Sequence, residues 1–279
     1  MPSIKSYIHS AGAWLRYYAL AKTKYQVHSP FLTEFIEKVV EPIGQSFLSI
    51  EIERRRKALF HDHRIINVDD LGAASRQLRV SQRTISRIAK TSLAPPSHCR
   101  FLQRLVHHLQ PGTMLELGTS LGISTLYQQA GNPKATFYSI EGQPEIFSIA
   151  KETIEVSSLM QKPILVNGLF RDKLQTCLES LQTLDYLFID GDHRGAHLLE
   201  YFQQVLPYLH GNSVVVIHDI HWSKDMYQAW QKLRKEQRVT VSIDLFFAGL
   251  VFLRHEQLSP LHISLIDFRY KPWSNGFFI

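Results

Sequence analysis

Met114-Leu115-Glu116-Leu117-Gly118-Thr119-Ser120-Leu121-Gly122-Ile123-Ser124 decides the fold. A short apolar run ends in an acid, Glu116; Gly118 and Gly122 then bracket a tight polar turn into a helical pattern. Glycine reaches backbone conformations that other residues resist, and a helix N-terminus offers free N–H groups to an anion. The next apolar run, Ala135–Ile140, leads into a second acid, Glu141, 23 residues after Gly118. An acid at that place in a parallel sheet suits ribose hydroxyls. This much would also fit NAD. The loop, however, is Gly-x-Ser-x-Gly rather than Gly-x-Gly-x-x-Gly, and its span suits a carboxylate better than a pyrophosphate. Its match to a hydrolase nucleophile elbow is a decoy, because that motif wants an upstream oxyanion loop and ordered Asp and His partners.

From Thr113 onward short apolar runs alternate with helical patterns, the signature of a parallel sheet with crossover helices. The runs are Thr113–Leu117, Ala135–Ile140, Pro163–Val166, Leu184–Ile189, Ser213–Ile217, Val239–Leu245 and Leu250–Leu253. Pro144 opens one intervening helix, Leu198, Leu199, Phe202, Val205 and Leu206 mark another, and Ser223 caps a third. Only Phe246 to Gly249 separate the last two runs, too few for a helix, so those strands form an antiparallel hairpin. The expected fold is a doubly wound, Rossmann-like α/β sheet of seven strands with five helical crossovers and a terminal antiparallel hairpin. A helical N-terminal extension precedes it.

That extension, residues 1–96, reads as helical and irregular, followed by a domain over 97–256 and a tail over 257–279. Ile4, Tyr7, Ile8, Ala11, Trp14, Leu15 and Tyr18 recur at helical spacing. Ser29-Pro30 suits a helix start, Pro42-Ile43-Gly44 a stop, and Ser49 to Phe60 a third, charged helix. Pro95-Pro96 breaks the chain before a helix from Ser97 to Leu109.

The 279 residues are 44% apolar and 20% charged, which excludes a largely disordered chain. Two cysteines, Cys99 and Cys177, exclude a disulfide framework and a cysteine zinc site. No run approaches the roughly 18 apolar residues of a membrane span, and no clean signal-peptide core is seen, so a cytoplasmic protein is expected. The net charge of +6 permits nucleic acid, anionic membrane or acidic substrates without choosing among them. Runs such as Arg54 to Lys57 and Arg76 to Lys90 read first as solvated faces.

Residues 113 to 254 resemble a class I S-adenosylmethionine-dependent methyltransferase, and more narrowly its small-molecule O-methyltransferase-like branch. The likeness rests on the loop above, on Glu141, on Phe188-Ile189-Asp190-Gly191-Asp192-His193 and on Ile217-His218-Asp219-Ile220-His221. It implies that Gly118, Thr119, Ser120, Gly122 and Ser124 surround the methionine part of the cofactor, with Glu116 near its amino group. It implies that Glu141 binds both ribose hydroxyls, that Gly168, Leu169 and Phe170 line the adenine, and that Asp190 sits beside the methyl donor. His193 stands where catechol-type relatives carry a lysine base, and histidine suits that work. Metal-dependent relatives pair the strand-four Asp with an Asp-Asn pair. Here the Asn is missing, so Asp190, His218 and Asp219 are either a site for Mg²⁺ or Mn²⁺ or metal-free catalytic groups. His221 and Trp222 are expected to face the substrate or to anchor the loop.

The implied activity is methyl transfer to a small-molecule acceptor, most naturally a hydroxyl oxygen. A nucleic-acid methyltransferase docking through the basic N-terminal region and a non-catalytic cofactor-binding protein are the competing classes. Arg79 to Lys90 imitates a DNA-recognition helix entry, Val68 to Ser75 imitates a second cofactor loop without its turn glycines, and Ala94-Pro95-Pro96-Ser97 lacks the polar and aromatic residues of an amino-methyltransferase motif. All three are set aside, and nucleic acid is not the expected partner. The first helix is expected to pack on the domain, to lid the site or to make a homodimer contact, with a membrane surface as a further reading.

Overall fold

The computed structural model describes residues 4–41, 50–69, 80–257 and 259–274. In chain order the elements are α1 (Ile4–Leu20), α2 (Pro30–Phe35), α3 (Ile50–Phe60), β1 (Ile65–Asp69), β2 (Val80–Thr84), α4 (Ile85–Ser92) and α5 (Pro96–Leu109). There follow β3 (Thr113–Leu117), α6 (Ile123–Gly131), β4 (Thr136–Glu141), α7 (Pro144–Glu155), β5 (Ile164–Asn167), α8 (Phe170–Leu181) and β6 (Tyr186–Ile189). The last are α9 (Gly195–Val205), β7 (Val214–His218), α10 (Lys224–Leu233), β8 (Val241–Asp244), β9 (Ala248–Phe252) and β10 (Leu261–Ser264). One mostly parallel sheet has the order β10-β8-β9-β7-β6-β3-β4-β5. The doubly wound α/β fold is therefore as expected, with five helical crossovers and an antiparallel β8–β9 hairpin.

Two differences stand out. The sheet has eight strands, not seven: His262 and its neighbours in β10 pair in parallel with β8 along the edge. Four residues carry too little periodicity to announce a strand, and distant pairing decides. The first hundred residues are not wholly helical either, since β1 and β2 pair antiparallel in a sheet of their own. Val80–Thr84 is thus a strand where a recognition-helix entry was considered; Arg79 and Asp70–Ser75 lie outside the described residues, as does the Pro42–Gly44 stop. By compactness the chain divides into two units, Met1–Gly44 with Asp185–Ile279, and Gln45–Leu184.

In Gln45–Leu184, β3, β4 and β5 pair in parallel, and α3, α4 and α6 build a core around Leu59, Ile85, Leu126 and Tyr127. The basic run of α3 is not a uniform solvent face. Arg56 is 3% exposed, and its guanidinium donates to Glu53 at 2.9 Å and to the Ala94 carbonyl at 2.7 Å. Glu53 also accepts from the Tyr127 hydroxyl at 2.7 Å, so the buried charge is paired and hydrogen-bonded.

In the other unit β7 is buried along Val214–Ile217, as a central strand covered on both faces must be. Ser223 accepts from the Met226 N–H at 3.1 Å, a side-chain N-cap for α10. Trp230 of α10 is fully buried, and Gly249 of β9 makes room for its ring: a Cβ there would meet ring carbons at 2.8–3.0 Å. Gly249→Ala should therefore destabilise the fold by about 1–3 kcal/mol through overpacking. A urea midpoint equal to that of the unsubstituted protein would refute this packing.

Candidate functional site

Glu116 ends β3 with no exposed surface, and four side chains close around it. Thr125 Oγ1 and Ser139 Oγ each donate to Oε2 at 2.5 Å; Gln128 Nε2 at 2.7 Å and Ser124 Oγ at 3.0 Å donate to Oε1. Ser139 gives its proton to Glu116, so Thr119, 2.6 Å away, donates to Ser139 in turn. A carboxylate so enclosed has its oxygens occupied by the protein. Glu116 therefore fastens β3, β4 and the first turns of α6 together, and is not free to meet a cofactor's amino group as the resemblance implied. Ser124 and Thr119 likewise turn their hydroxyls into this network.

The loop between β3 and α6 takes up left-handed backbone at Gly118 (φ 108°), Ser120 (φ 49°) and Gly122 (φ 83°). At Ser120 that conformation is unfavourable for a side chain and must be held by its surroundings. Glu141 does this: its Oε2 accepts the Ser120 N–H at 2.9 Å, while Oε1 accepts the Gln143 N–H at 2.9 Å. Burial raises the Glu141 carboxyl, and the backbone donors of Gln143, Ser120 and Gly142 act against that rise. The residue keeps part of its surface exposed. Gly168 (φ 146°) donates its N–H to the Glu141 carbonyl at 3.0 Å, and Leu169 and Phe170 then lead into α8. The structure thus brings Gly118–Gly122, Glu141 and Gly168 together, as the sequence suggested.

Burial lifts the Glu116 carboxyl to about 7, its four donors pulling it back only in part. A carboxyl raised in the folded state binds more protons folded than unfolded, so its contribution to stability falls as pH rises from about 4.5 to about 7. At 1.36 kcal/mol per unit this is about 3 kcal/mol. Urea unfolding of Glu116→Gln should show a shallower loss of stability across that window than the unsubstituted chain. Parallel pH profiles would contradict it.

In the other unit, Asp190 follows β6 and His218 ends β7. His218 Nδ1 lies 3.0 Å from Asp190 Oδ1 and 3.5 Å from Asp219 Oδ2. Burial alone would lower the imidazole; Asp190 and then Asp219 outweigh it and raise it to about 10. Both carboxylates favour a proton on this imidazole. Asp190, His218 and Asp219 are the expected Mg²⁺ or Mn²⁺ set; among the described residues no group of three His, Cys, Asp or Glu could hold a metal ion.

Asp219 is left-handed (φ 55°), and its N–H donates to the Phe247 carbonyl at 2.8 Å. His221 is buried and anchors the same loop: Nε2 is 3.0 Å from Asp244 Oδ2, and the ring stacks on Phe246 at 4.8 Å and Tyr227 at 5.0 Å. Of its two expected roles, the anchor is the one observed. Trp222 is 62% exposed and its ring lies 5.7 Å from that of His193.

Sequence reasoning passed over Asp192. It is left-handed (φ 53°) and accepts from the Arg194 guanidinium, from Tyr201 at 3.0 Å, and pairs with His197 Nδ1 at 2.5 Å. Burial opposes ionisation there, but these three partners hold the carboxyl below its ordinary range. The turn presenting His193 is thereby locked. The signal was the second acid of Asp190-Gly191-Asp192, with Arg194, His197 and Tyr201 at helical spacing behind it.

Residues 115–220 match the family model described as a methyltransferase domain. The chain resembles an O-methyltransferase from Bacillus cereus solved in complex with SAH, at TM-score 0.53 and 18% identity over 80% of this chain and 97% of that one. At this identity the likeness shows the fold alone, a doubly wound α/β sheet like that of the solved O-methyltransferase. The chain is 29% identical over 127 residues to a catechol O-methyltransferase of Niastella koreensis, 45% of this chain and 57% of the relative. An uncharacterised protein of Sinorhizobium fredii is 25% identical over 205 residues, 65% of this chain and 22% of the relative. The chain thus spans about a fifth and somewhat over half the length of these two curated relatives.

Proposed function

We propose that the chain transfers a methyl group from S-adenosylmethionine to a hydroxyl oxygen of a small-molecule acceptor. The observation that carries the reading is Glu141: a half-buried carboxylate that takes the Ser120 and Gln143 N–H groups on its two oxygens, with the Gly142 N–H acting on it as well, and keeps part of its surface open to a pair of ribose hydroxyls. Gly118 and Gly122 at positive φ let the backbone come close to the methionine end, and Gly168, Leu169 and Phe170 line the adenine. The cofactor, when bound, supplies an electrophilic methyl on sulfur.

His193 acts as the base that takes the acceptor's hydroxyl proton at an imidazole nitrogen while the oxygen attacks. Asp192 positions it through the locked turn, and Trp222 offers a flat apolar surface beside it. His218 links Asp190 and Asp219 beside the methyl donor. Residues 97–256 make up the working domain in this reading, and Cys99 and Cys177, buried and not in a disulfide, suit a reducing cytoplasm.

Calorimetry should show S-adenosylhomocysteine binding, with Glu141→Ala losing roughly 2–3 kcal/mol or more at about 1.5–3 kcal/mol per charge-assisted hydrogen bond. Unchanged affinity in that variant would overturn the cofactor assignment. With labelled methyl donor and a panel of phenols and catechols, His193→Ala should lower turnover by about 10²–10⁴-fold while cofactor affinity holds. A variant turning over at the original rate would remove His193 from the chemistry.

A further inference from the structure

Helix α1 has two apolar faces: one is buried, and the other is covered only in part, Trp14 meeting Phe246 edge-on at 4.9 Å. Tyr17 and Ala21, one turn apart, are 5% and 1% exposed and pack with Ile266 against Tyr18 and Phe246. The Tyr17 hydroxyl donates to the Leu265 carbonyl. Ala11, Trp14, Leu15 and Tyr18, at i, i+3, i+4 and i+7, share a different face. There Trp14 is 40% and Leu15 67% exposed. The segment after β10 widens this face. Tyr18 donates to the Tyr270 carbonyl at 2.9 Å and its ring lies 6.0 Å from both Trp14 and Trp273. Tyr270 and Trp273 are 68% and 60% exposed.

The patch is built, not frayed. Lys271 Nζ donates to the carbonyls of Tyr18 at 2.9 Å, Ala19 at 3.3 Å and Ala21 at 2.9 Å, satisfying the last turn of α1 and joining it to the C-terminal segment. Its charge pattern is one-sided. Residues 1–33 contain Lys5, Arg16, Lys22 and Lys24 and no Asp or Glu at all. Nearby acids are taken: Asp267 by Arg269, and Glu41 by Lys24 at 3.1 Å and the Phe268 N–H at 2.8 Å.

We propose that this face of α1, with Trp14, Leu15, Tyr18, Tyr270 and Trp273, docks on an anionic lipid membrane, the helix lying in the plane of the surface. Indole and phenol rings settle at the headgroup level, an exposed leucine enters the acyl boundary, and basic residues such as Arg16 and Lys22 meet anionic headgroups. No helix among the described residues is long and apolar enough to cross a membrane, which leaves the in-plane mode. A second copy fits less well, because Arg16 and Lys22 would meet themselves across a symmetric contact. Nucleic acid has no use for bare Leu15.

Flotation of the full chain with vesicles tests this, using phosphatidylcholine alone and phosphatidylcholine with 30% phosphatidylglycerol, which sets the probe's anionic content at ~30%. Binding is expected to the anionic vesicles only, to weaken as salt rises, and to shift tryptophan emission to the blue. Leu15→Glu, at a position with no partner to lose, should cut binding at least tenfold, and Arg16→Glu should weaken it while melting temperature and S-adenosylhomocysteine affinity hold. Trp273→Ser gives an independent check should Leu15→Glu fail to fold. No flotation, equal binding to neutral vesicles, or unchanged binding in these variants overturns the proposal. So does a concentration-dependent dimer, or an oligonucleotide complex, that Leu15→Glu abolishes when no vesicle binding is seen.

Discussion

A buried carboxylate at the tip of β3 is the constraint on which the rest of the cofactor half depends. Burying an ionisable group without partners is costly, so its surroundings must supply donors. They do so from fixed offsets: Ser124, Thr125 and Gln128 fall on one face at the start of α6, and Ser139 stands opposite Glu116 in the β3–β4 register. Strand, neighbouring strand and helix are thereby held at one point. The chain between them has only Leu117 to Ile123 in which to turn, and left-handed backbone at Gly118, Ser120 and Gly122 is how it does so. Ser120 then points its N–H at Glu141, so the geometry of the second acid follows from the burial of the first.

The other unit solves a different electrostatic problem. Asp190 and Asp219 stand near each other through His218, and two carboxylates so placed repel unless a cation lies with them. The protein places the His218 imidazole there, and both carboxylates favour its protonated form. A second buried histidine, His221, uses Asp244 to tie the same loop to the β8–β9 turn, and the Asp219 N–H bond to Phe247 doubles the tie. Removing one partner of such a pair strands the other, so these contacts fix the loop's place more than they add stability. The turn at Phe246 is in turn covered by Trp14 and Tyr17 of α1.

Much of this fold was legible because its signals are local. The crossover helices carry their own periodicity and caps, and the four-residue gap from Phe246 to Gly249 left room for nothing but a hairpin. What was not legible depends on partners far away in sequence. β10 exists through its pairing with β8, and Leu261–Ser264 says nothing of that alone. Arg56 looks like one more surface charge until Glu53, Ala94 and Tyr127 are assembled around it. Glu141 and Glu116 read alike as acids at strand tips. Their partners differ: four side chains close on Glu116, whereas Glu141 accepts from backbone N–H groups and keeps part of its surface exposed. For His218 the sequence gives the residue type but not its two carboxylate neighbours at 3.0 and 3.5 Å.

Helix α1 shows the same limit from the apolar side. Its hydrophobic residues recur at helical spacing, yet that recurrence adds together Tyr17 and Ala21, which are packed, and Trp14, Leu15 and Tyr18, whose face carries exposed aromatic and aliphatic surface. A periodicity cannot say which of two adjacent stripes meets the protein. The distinction comes from the neighbours: Ile266 packs with Tyr17 and Ala21, Phe246 reaches Tyr17 and the edge of Trp14, and Lys271 closes the end of the helix while Leu15 stays bare. Leaving large apolar side chains bare is unfavourable in water, and a contiguous patch of them bordered by one sign of charge marks a surface made for something other than solvent.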